Sequence, residues 1–171
     1  MTKANDTGSF VVMPVPGGGS LIVSSNPASL SVNGIAQVLA QYGSQGAVAL
    51  LSLTTHEELV ALDLQDLPTA CRQAGLQWWH APIEDMGEPD EAFETWWRAN
   101  QGALYDSLCS GQSLVIHCWS GYGRSGLVAA RILVEHGMAP QEAIEYVRQF
   151  RPGAIETVGQ ERYVRGLTAS I

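Results

Sequence analysis

Residues 113–126 read SLVIHCWSGYGRSG, and the interpretation of the whole chain starts from this stretch. An apolar run at 114–116 leads into His117 and Cys118, and a glycine-containing segment then leads into a sequence typical of a helix. The order is therefore a buried strand, a loop and a helix. Such a loop directs backbone N–H groups inward, and the helix behind it contributes its positive end. The stretch predicts an anion-binding pocket with a cysteine at its floor.

The residue types in this stretch favour a nucleophilic cysteine that attacks a bound phosphate. The thiolate is the reactive form, and both a helix N-terminus and a nearby cation stabilise it. Arg124 supplies the cation, and its planar fork can bind two phosphate oxygens at once, which lysine cannot do. Gly121 and Gly123 allow the backbone to approach the ligand closely. Ser125 falls in the first turn of the helix, where we expect its hydroxyl to donate to the thiolate of Cys118.

A cysteine after an apolar strand is often only a small buried hydrophobic residue. A bare C-(x)5-R spacing would favour that interpretation. Here a histidine, a cysteine, two glycines, an arginine and a serine occur together between a strand and a helix, and this combination favours catalysis.

The segment HCWSGYGRSG resembles the H-C-x-x-G-x-x-R-[ST]-G signature loop of the protein tyrosine phosphatase superfamily. Within that superfamily it is most similar to the dual-specificity branch, and particularly to kinase-associated-phosphatase-like proteins. The resemblance extends to WWHAPIEDMGEPD upstream and RPGAIETVGQERYV downstream, and so covers about half of the chain. It implies that His117 organises the loop by hydrogen bonding rather than by transferring protons. It also implies that the phosphate is bound by Trp119, Ser120, Gly121, Tyr122, Gly123 and Arg124.

The acidic segment PIEDMGEPD at 82–90 is expected to supply a general acid. A positioned carboxylic acid that protonates a leaving oxygen typically contributes about a hundredfold to ten-thousandfold in rate. Most acids of this segment are expected to serve the following helix, because its dipole favours anions near the first turn. Asp85 lies instead on the loop before that helix and matches the acid position of the resembled P-I-x-D loop. We predict Asp85 as the general acid, with Asp90 as the fallback.

Three further side chains bear on the chemistry. By resemblance, Gln160 is expected to hold the water that hydrolyses a phosphocysteine intermediate, although a lone glutamine would by itself be assigned to the surface. Cys71 and Cys109 are expected to lie in the core. The alternative is that one of them forms a protective disulfide with Cys118 under oxidation. The histidines show no metal-ligand spacing, and neither a metal nor another cofactor is expected.

Composition excludes several other classes of protein. The 171 residues carry a formal net charge of −8, with only one lysine, which argues against a broad nucleic-acid-binding face. No apolar run is long enough to span a membrane. Three cysteines without a dense framework indicate a reducing compartment, and the cytoplasm is the expected location. We expect one monomeric phosphatase domain over residues 1–171, with residues 1–9 flexible.

The remaining pattern predicts an α/β fold with a central, mostly parallel sheet of about five strands flanked by helices, as in dual-specificity phosphatases. Short apolar runs predict strands at 10–13, 21–23, 47–53, 76–80 and 114–116. Helical spacing predicts helices at 33–42, 56–62, 66–74, 89–108, 126–135, 140–150 and 158–168. The dipeptide Asn26-Pro27 predicts a loop.

The expected reaction is hydrolysis of a phosphomonoester in two steps through a phosphocysteine. Phosphoinositide-directed members of the superfamily often carry lysines within the loop, whereas this chain has Trp119 and Tyr122 there. Two uncharged aromatic residues favour a phosphorylated protein as substrate, on tyrosine together with serine or threonine. The alternatives are another phosphomonoester, a rhodanese-type sulfurtransferase, or a phosphate-binding module without activity.

Overall fold

The computed structural model describes residues 8–169, and its centre is a five-stranded sheet with the order β1-β2-β5-β3-β4. The first pair of strands is antiparallel, and every other neighbouring pair is parallel. The strands are β1 (Phe10–Pro14), β2 (Ser20–Ser24), β3 (Ala47–Ser52), β4 (Gln77–His80) and β5 (Ser113–His117). The predicted sheet of about five mostly parallel strands is therefore confirmed.

Eight helices cover this sheet within the described part of the chain. They are α1 (Pro27–Leu30), α2 (Ile35–Ser44), α3 (His56–Ala61), α4 (Leu67–Gln73), α5 (Glu91–Cys109), α6 (Gly123–Glu135), α7 (Pro140–Phe150) and α8 (Val158–Arg165). The loop predicted at Asn26-Pro27 is wrong, because Asn26 accepts a hydrogen bond from Ser29 N at 3.0 Å and caps α1. Helix α6 also begins three residues before its predicted start, inside the signature motif.

The central strand β5 is buried on both faces, as its continuous apolar sequence requires. Leu114 and Ile116 face a core formed with α5, α6, α7 and α8. Val115 faces a second core formed with α2, α3 and α4. Two layers of helices therefore enclose the sheet and hold β5 at its middle.

Helix α5 packs on the sheet through one stripe of side chains, and its bounds are close to the predicted range of 89–108. Phe93, Trp97, Leu104 and Leu108 are buried on this stripe. Cys109 lies next to the stripe at the last position of the helix and is exposed, so its predicted place in the core is wrong. Cys71 is buried as predicted, and burial raises the pKa of its thiol to about 12.

The carboxyl ends of β3, β4 and β5 meet at one edge of the sheet, because these strands are parallel. The loops that leave this edge lead into α3, α5 and α6. No helix within residues 8–169 is long and apolar enough to cross a membrane.

The N-terminal segment is only partly described. Most of the stretch that we expected to be flexible lies outside the described residues, but Ser9 is bonded to the end of β2. Its carbonyl accepts from Ser25 N at 3.0 Å, and its own N–H donates to Ser25 Oγ at 3.0 Å. The flexibility of residues 1–9 stays a prediction, and these two hydrogen bonds argue against it at Ser9.

Candidate active site

The signature loop (residues 118–124) connects β5 to α6 in the predicted order of strand, loop and helix. Cys118 follows directly on β5, and only 2% of its surface is exposed. The backbone N–H of Gly121 donates to Cys118 Sγ at 3.2 Å. Arg124 and Ser125 lie in the first turn of α6. The sulfur therefore lies at the N-terminus of a helix with a backbone donor directed at it.

His117 lies beneath this loop as part of a buried chain of hydrogen bonds. Its Nδ1 is 3.1 Å from the Cys118 carbonyl oxygen, and its Nε2 is 2.6 Å from Ser52 Oγ. A carbonyl oxygen only accepts, so we assign the ring proton to Nδ1 and let the Ser52 hydroxyl donate to Nε2. Trp78 Nε1 completes the chain by donating to Ser52 Oγ at 2.9 Å.

Complete burial lowers the pKa of His117 to about 4, so the ring is neutral near pH 7. The neutral ring has both nitrogens engaged and orients the backbone at Cys118. This geometry agrees with the predicted organising part of His117.

Arg124 is the buried cation of the site, with 2% of its side chain exposed. Its two terminal nitrogens donate to the two carboxylate oxygens of Glu58, each at 2.7 Å. One of them also donates to the Ile83 carbonyl at 2.9 Å, and the other to Asp85 Oδ1 at 3.2 Å. The fork is therefore held in one orientation by helix α3 and by the loop between β4 and α5.

Glu58 is a residue of the site that the sequence analysis missed. Partial burial alone would raise the pKa of its carboxyl, but hydrogen bonds from Arg124 and from the Thr55 backbone hold this pKa below its usual value. Thr55 and Glu58 also form a capping box at the start of α3. The T-x-x-E pattern was visible in the sequence, but it indicates where a helix begins and not which arginine the glutamate binds.

Asp85 lies on the β4–α5 loop (residues 81–90) at the rim of a cleft of about 410 Å³. Its side chain is 68% exposed, and Arg124 is its ion-pair partner. Thr55, Glu58, Glu84 and Trp119 line the same cleft. The structure therefore brings Asp85 to the buried arginine, although 39 residues separate the two in sequence.

Asp90, the fallback acid, has a different environment. Its carboxylate accepts from Phe93 N at 2.8 Å and caps α5. Its side chain borders a neighbouring hollow together with His56 and Pro82 rather than the cleft that contains Asp85. This geometry favours Asp85 over Asp90 as the acid.

Gln160 is fully buried, so its assignment to the surface would have been wrong. Its Oε1 accepts from the backbone N–H groups of Glu156 at 2.9 Å and Thr157 at 3.3 Å. Its Nε2 donates to the Gly87 carbonyl at 3.1 Å. A Cβ built on Gly123 would lie 3.1 Å from Oε1, so the amide packs directly against the signature loop. Gln160 thus links this loop to the β4–α5 loop.

Ser125 is buried in the first turn of α6, as predicted, but its hydroxyl has no hydrogen-bond partner among residues 8–169. The expected hydrogen bond to Cys118 is therefore not formed in this structure. The site also holds no group of metal-ligating side chains in the described part of the chain.

The two aromatic residues of the loop, Trp119 and Tyr122, have different environments. Trp119 is 43% exposed and lines the cleft. Tyr122 is half-buried, and its ring stacks under the guanidinium of Arg151, with 4.2 Å between the guanidinium carbon and the ring centre. Trp119 therefore forms a wall of the cleft, whereas the Tyr122 side chain packs behind the loop.

A family model described as "Polymorphic toxin system, DSP-PTPase phosphatase" matches residues 27–138, which is more than half of the chain. The chain belongs to this DSP-PTPase family. The matched range contains the signature loop and the β4–α5 loop. The resemblance seen in the sequence is thereby confirmed.

Individual proteins similar to this chain include phosphatases and a kinase inhibitor by name. Cyclin-dependent kinase inhibitor 3 of the rat is 34% identical over 124 residues, covering 71% of this chain and 57% of the rat protein. Protein tyrosine phosphatase type IVA 3 of the mouse is 25% identical over 137 residues, covering 80% of this chain and 72% of the mouse protein. The chain thus spans little more than half the length of the rat relative.

A solved structure of kinase-associated phosphatase, with its catalytic-site cysteine replaced by serine, superimposes on this chain with a TM-score of 0.78. The two chains are 25% identical, and the superposition covers 92% of each. The fold predicted from the sequence and the fold of this phosphatase are the same.

Proposed function

We propose that this DSP-PTPase hydrolyses phosphomonoesters of proteins, on tyrosine and on serine or threonine, through a phosphocysteine intermediate. One observation carries the proposal. The buried Cys118 sulfur accepts a backbone N–H at the N-terminus of α6, and the same helix turn presents the rigidly held Arg124. A thiolate, a fixed guanidinium and inward N–H groups together suit a tetrahedral anion.

In the first step the Cys118 thiolate attacks phosphorus, so an S–P bond forms as the P–O ester bond breaks. The loop N–H groups and Arg124 hold the equatorial oxygens, and because the transition state is loose, positioning and charge stabilisation dominate the catalysis. Asp85 gives its proton to the leaving oxygen. Its contact with Arg124 is longer than the Glu58 contacts, and its side chain is largely exposed, which supports Asp85 as the partner that moves.

In the second step a water attacks the phosphocysteine, Asp85 takes a proton from this water, and the S–P bond breaks to release the thiolate and phosphate. The hydroxyl of Ser125 has no partner within residues 8–169 and donates to the departing thiolate. Gln160 Nε2 donates to only one acceptor within the same residues, so its second N–H is left to orient the water.

The test compares Cys118→Ser with Cys109→Ser on p-nitrophenyl phosphate. We expect Cys118→Ser to lose all measurable turnover while it still binds inorganic phosphate in calorimetry. Cys109 is exposed at the end of α5, so Cys109→Ser should keep the wild-type rate. Turnover by Cys118→Ser would contradict the proposal. A wild type that binds phosphate without turnover would indicate a silent binding module, and transfer of sulfur from thiosulfate to cyanide would indicate a sulfurtransferase.

The cleft also supports the choice of substrate class. Trp119 presents an apolar wall at the mouth, and Glu84 and Asp85 add negative charge there. This environment suits an amino-acid side chain carrying one phosphate and opposes a headgroup carrying several. The trapping variant Asp85→Ala, screened against phosphopeptides and phosphoinositides, tests the choice, and retention of phosphoinositides alone would contradict it. Because the thiolate must stay reduced, we propose the cytoplasm as the compartment.

A further inference from the structure

The carbonyl groups of the signature loop are held by donors that do not line the cleft. The Trp119 carbonyl accepts from Asn26 N at 3.1 Å and from Asn26 Nδ2 at 2.9 Å. The next two carbonyls, of Ser120 and Gly121, accept from Arg151 at 3.1 and 3.0 Å. The following carbonyl, of Tyr122, accepts from two backbone N–H groups. Successive carbonyls are thus fixed on the outer side of the loop.

This arrangement determines where the loop N–H groups point. In a planar trans peptide the C=O and the following N–H point in opposite directions. A bond that fixes the Ser120 carbonyl outward therefore turns the N–H of Gly121 inward. The structure shows the expected contact, because the Gly121 N–H donates to Cys118 Sγ. By the same geometry, the bond to the Gly121 carbonyl turns the N–H of Tyr122 inward.

Arg151 makes these two bonds from the end of α7, where only 4% of its surface is exposed. Its fork spans two adjacent carbonyls, and its face covers the Tyr122 ring. Its other hydrogen bonds within residues 8–169 go to Ser9, through the hydroxyl at 2.6 Å and the carbonyl at 3.3 Å.

Arg151 differs from the other buried arginines in the groups that it bonds. Its hydrogen-bond acceptors within residues 8–169 are carbonyl and hydroxyl oxygens, whereas the buried Arg124 and Arg131 each bond carboxylates. A buried charge without an opposite charge is costly. The guanidinium lies against the carbonyl side of the signature loop, so its positive charge acts on that loop from behind.

We propose that Arg151 is a positioning residue for phosphoryl transfer. It turns the loop N–H groups toward the phosphate by holding the Ser120 and Gly121 carbonyls, and it adds behind them a positive charge that no carboxylate within residues 8–169 bonds. This inference rests on the proposed phosphatase function. Under this inference Arg151 contributes to anion binding. A residue that only joined the end of α7 to Ser9 would not contribute to it.

The experiment compares Arg151→Met, Arg151→Lys and the control Arg165→Met. Arg165 is an exposed arginine that bonds only Glu161 among the described residues, so its replacement removes the same kind of side chain without touching the loop. For each protein the inhibition constant of vanadate, kcat and KM for p-nitrophenyl phosphate, and the urea midpoint are measured at a temperature where the protein is folded.

We expect Arg151→Met to weaken vanadate binding by about 10- to 100-fold and to lower kcat/KM by about 100-fold, because misplaced N–H donors stabilise the transferring group poorly. Arg151→Lys should recover part of the vanadate affinity through its charge but little of kcat, since a point charge cannot bridge two carbonyls. Arg165→Met should match the wild type.

A folded Arg151→Met with vanadate affinity within about twofold of the wild type would overturn the inference, as would Arg151→Lys with wild-type kcat. If Arg151→Met does not fold, Arg151→Lys supplies the test. An inactive wild type would instead overturn the proposed function, so the two failures are distinguishable.

Discussion

At the scale of single residues, Asp85 and Asp90 are two carboxylates of one loop with different partners. Asp85 contacts Arg124 at the cleft, and Asp90 caps α5 through Phe93 N. We predict that Asp85→Ala lowers kcat toward a phosphotyrosine peptide by roughly 100- to 10,000-fold, because no proton reaches the leaving oxygen. Asp90→Ala should keep kcat and lower the free energy of unfolding by about 1 kcal/mol, because it removes only a helix cap.

Steady-state kinetics on two substrates check this prediction, together with urea unfolding. The kcat lost in Asp85→Ala should be smaller with p-nitrophenyl phosphate, because nitrophenolate leaves readily without a proton. A larger loss of kcat in Asp90→Ala than in Asp85→Ala would identify Asp90 as the general acid instead.

The site residues that could be predicted without a resemblance lie together in one short segment. Cys118 and Arg124 share a strand-to-helix turn, so their spacing together with the neighbouring histidine, glycines and serine indicated one site. Glu58 contacts Arg124 across 66 residues, and nothing in its local sequence reports that contact. Gln160 was identified only by resemblance, since its burial comes from the packing of α8 against two loops.

At the scale of elements, the signature loop fits tightly against the end of β2. Gly121 has φ +81°, and a Cβ built there would lie 2.4 Å from both Ser24 C and Ser25 N. We predict that Gly121→Ala removes activity and destabilises the fold by more than about 2 kcal/mol, since backbone atoms must move as well as a strained φ be accepted.

Gly111→Ala is the matched control, because Gly111 has φ +79° and nothing within 4 Å of its Cβ position. It should cost only the backbone strain, about 1–2 kcal/mol, and leave kcat unchanged. Urea unfolding and p-nitrophenyl phosphate turnover compare the two. Equal destabilisation would mean that the contact with β2 carries no energy.

The elements that the sequence predicted well have strong local patterns. The five apolar runs are the five strands, and α5 was predicted to within two residues at each end. Helix α1 was missed because it has only four residues and depends on Asn26, whose amide is also bonded to the signature loop. A short helix held by a distant loop has too little periodicity to predict.

An ion cluster also joins three helices on the core side of the sheet. Arg131 of α6 bonds Glu94 of α5 at 2.8 Å and Glu135 of its own helix at 2.9 Å. Tyr163 of α8 bonds the same Glu94, and Trp97 Nε1 donates to Glu135 at 3.1 Å. Burial raises the pKa of Glu135 to about 7, against a smaller opposite effect of the Trp97 hydrogen bond.

This raised pKa gives a pH dependence of known sign. Between its unfolded value near 4.5 and its folded value near 7, Glu135 binds more protons in the folded state, so the free energy of unfolding falls as pH rises. We predict that this free energy for Glu135→Gln minus that for the wild type increases by on the order of 1–3 kcal/mol from about pH 5 to about pH 8. Urea unfolding at both pH values measures it, and a difference independent of pH would contradict the raised pKa.

At the scale of the whole molecule, negative charge surrounds the buried Arg124 at the cleft. The chain carries a formal net charge of −8, and Glu58, Glu84 and Asp85 line the cleft around Arg124. Two of these acids already bond Arg124, so the mouth of the cleft is not attractive to further anions. Under the proposed function, the phosphate would be bound locally, while the rest of a substrate would meet an acidic surface.

This charge distribution predicts a preference for basic residues beside the phosphorylated side chain. We expect kcat/KM for a phosphotyrosine peptide with flanking arginines to exceed that for a matched peptide with flanking glutamates by about tenfold at low salt, and the ratio to shrink at high ionic strength. Glu84→Gln, which removes an exposed charge at the cleft, should reduce the ratio, whereas Glu142→Gln, on the exposed face of α7, should not. A ratio that does not change with salt would assign the preference to shape rather than to charge. Equal rates for both peptides would mean that the substrate backbone leaves the cleft away from Glu84.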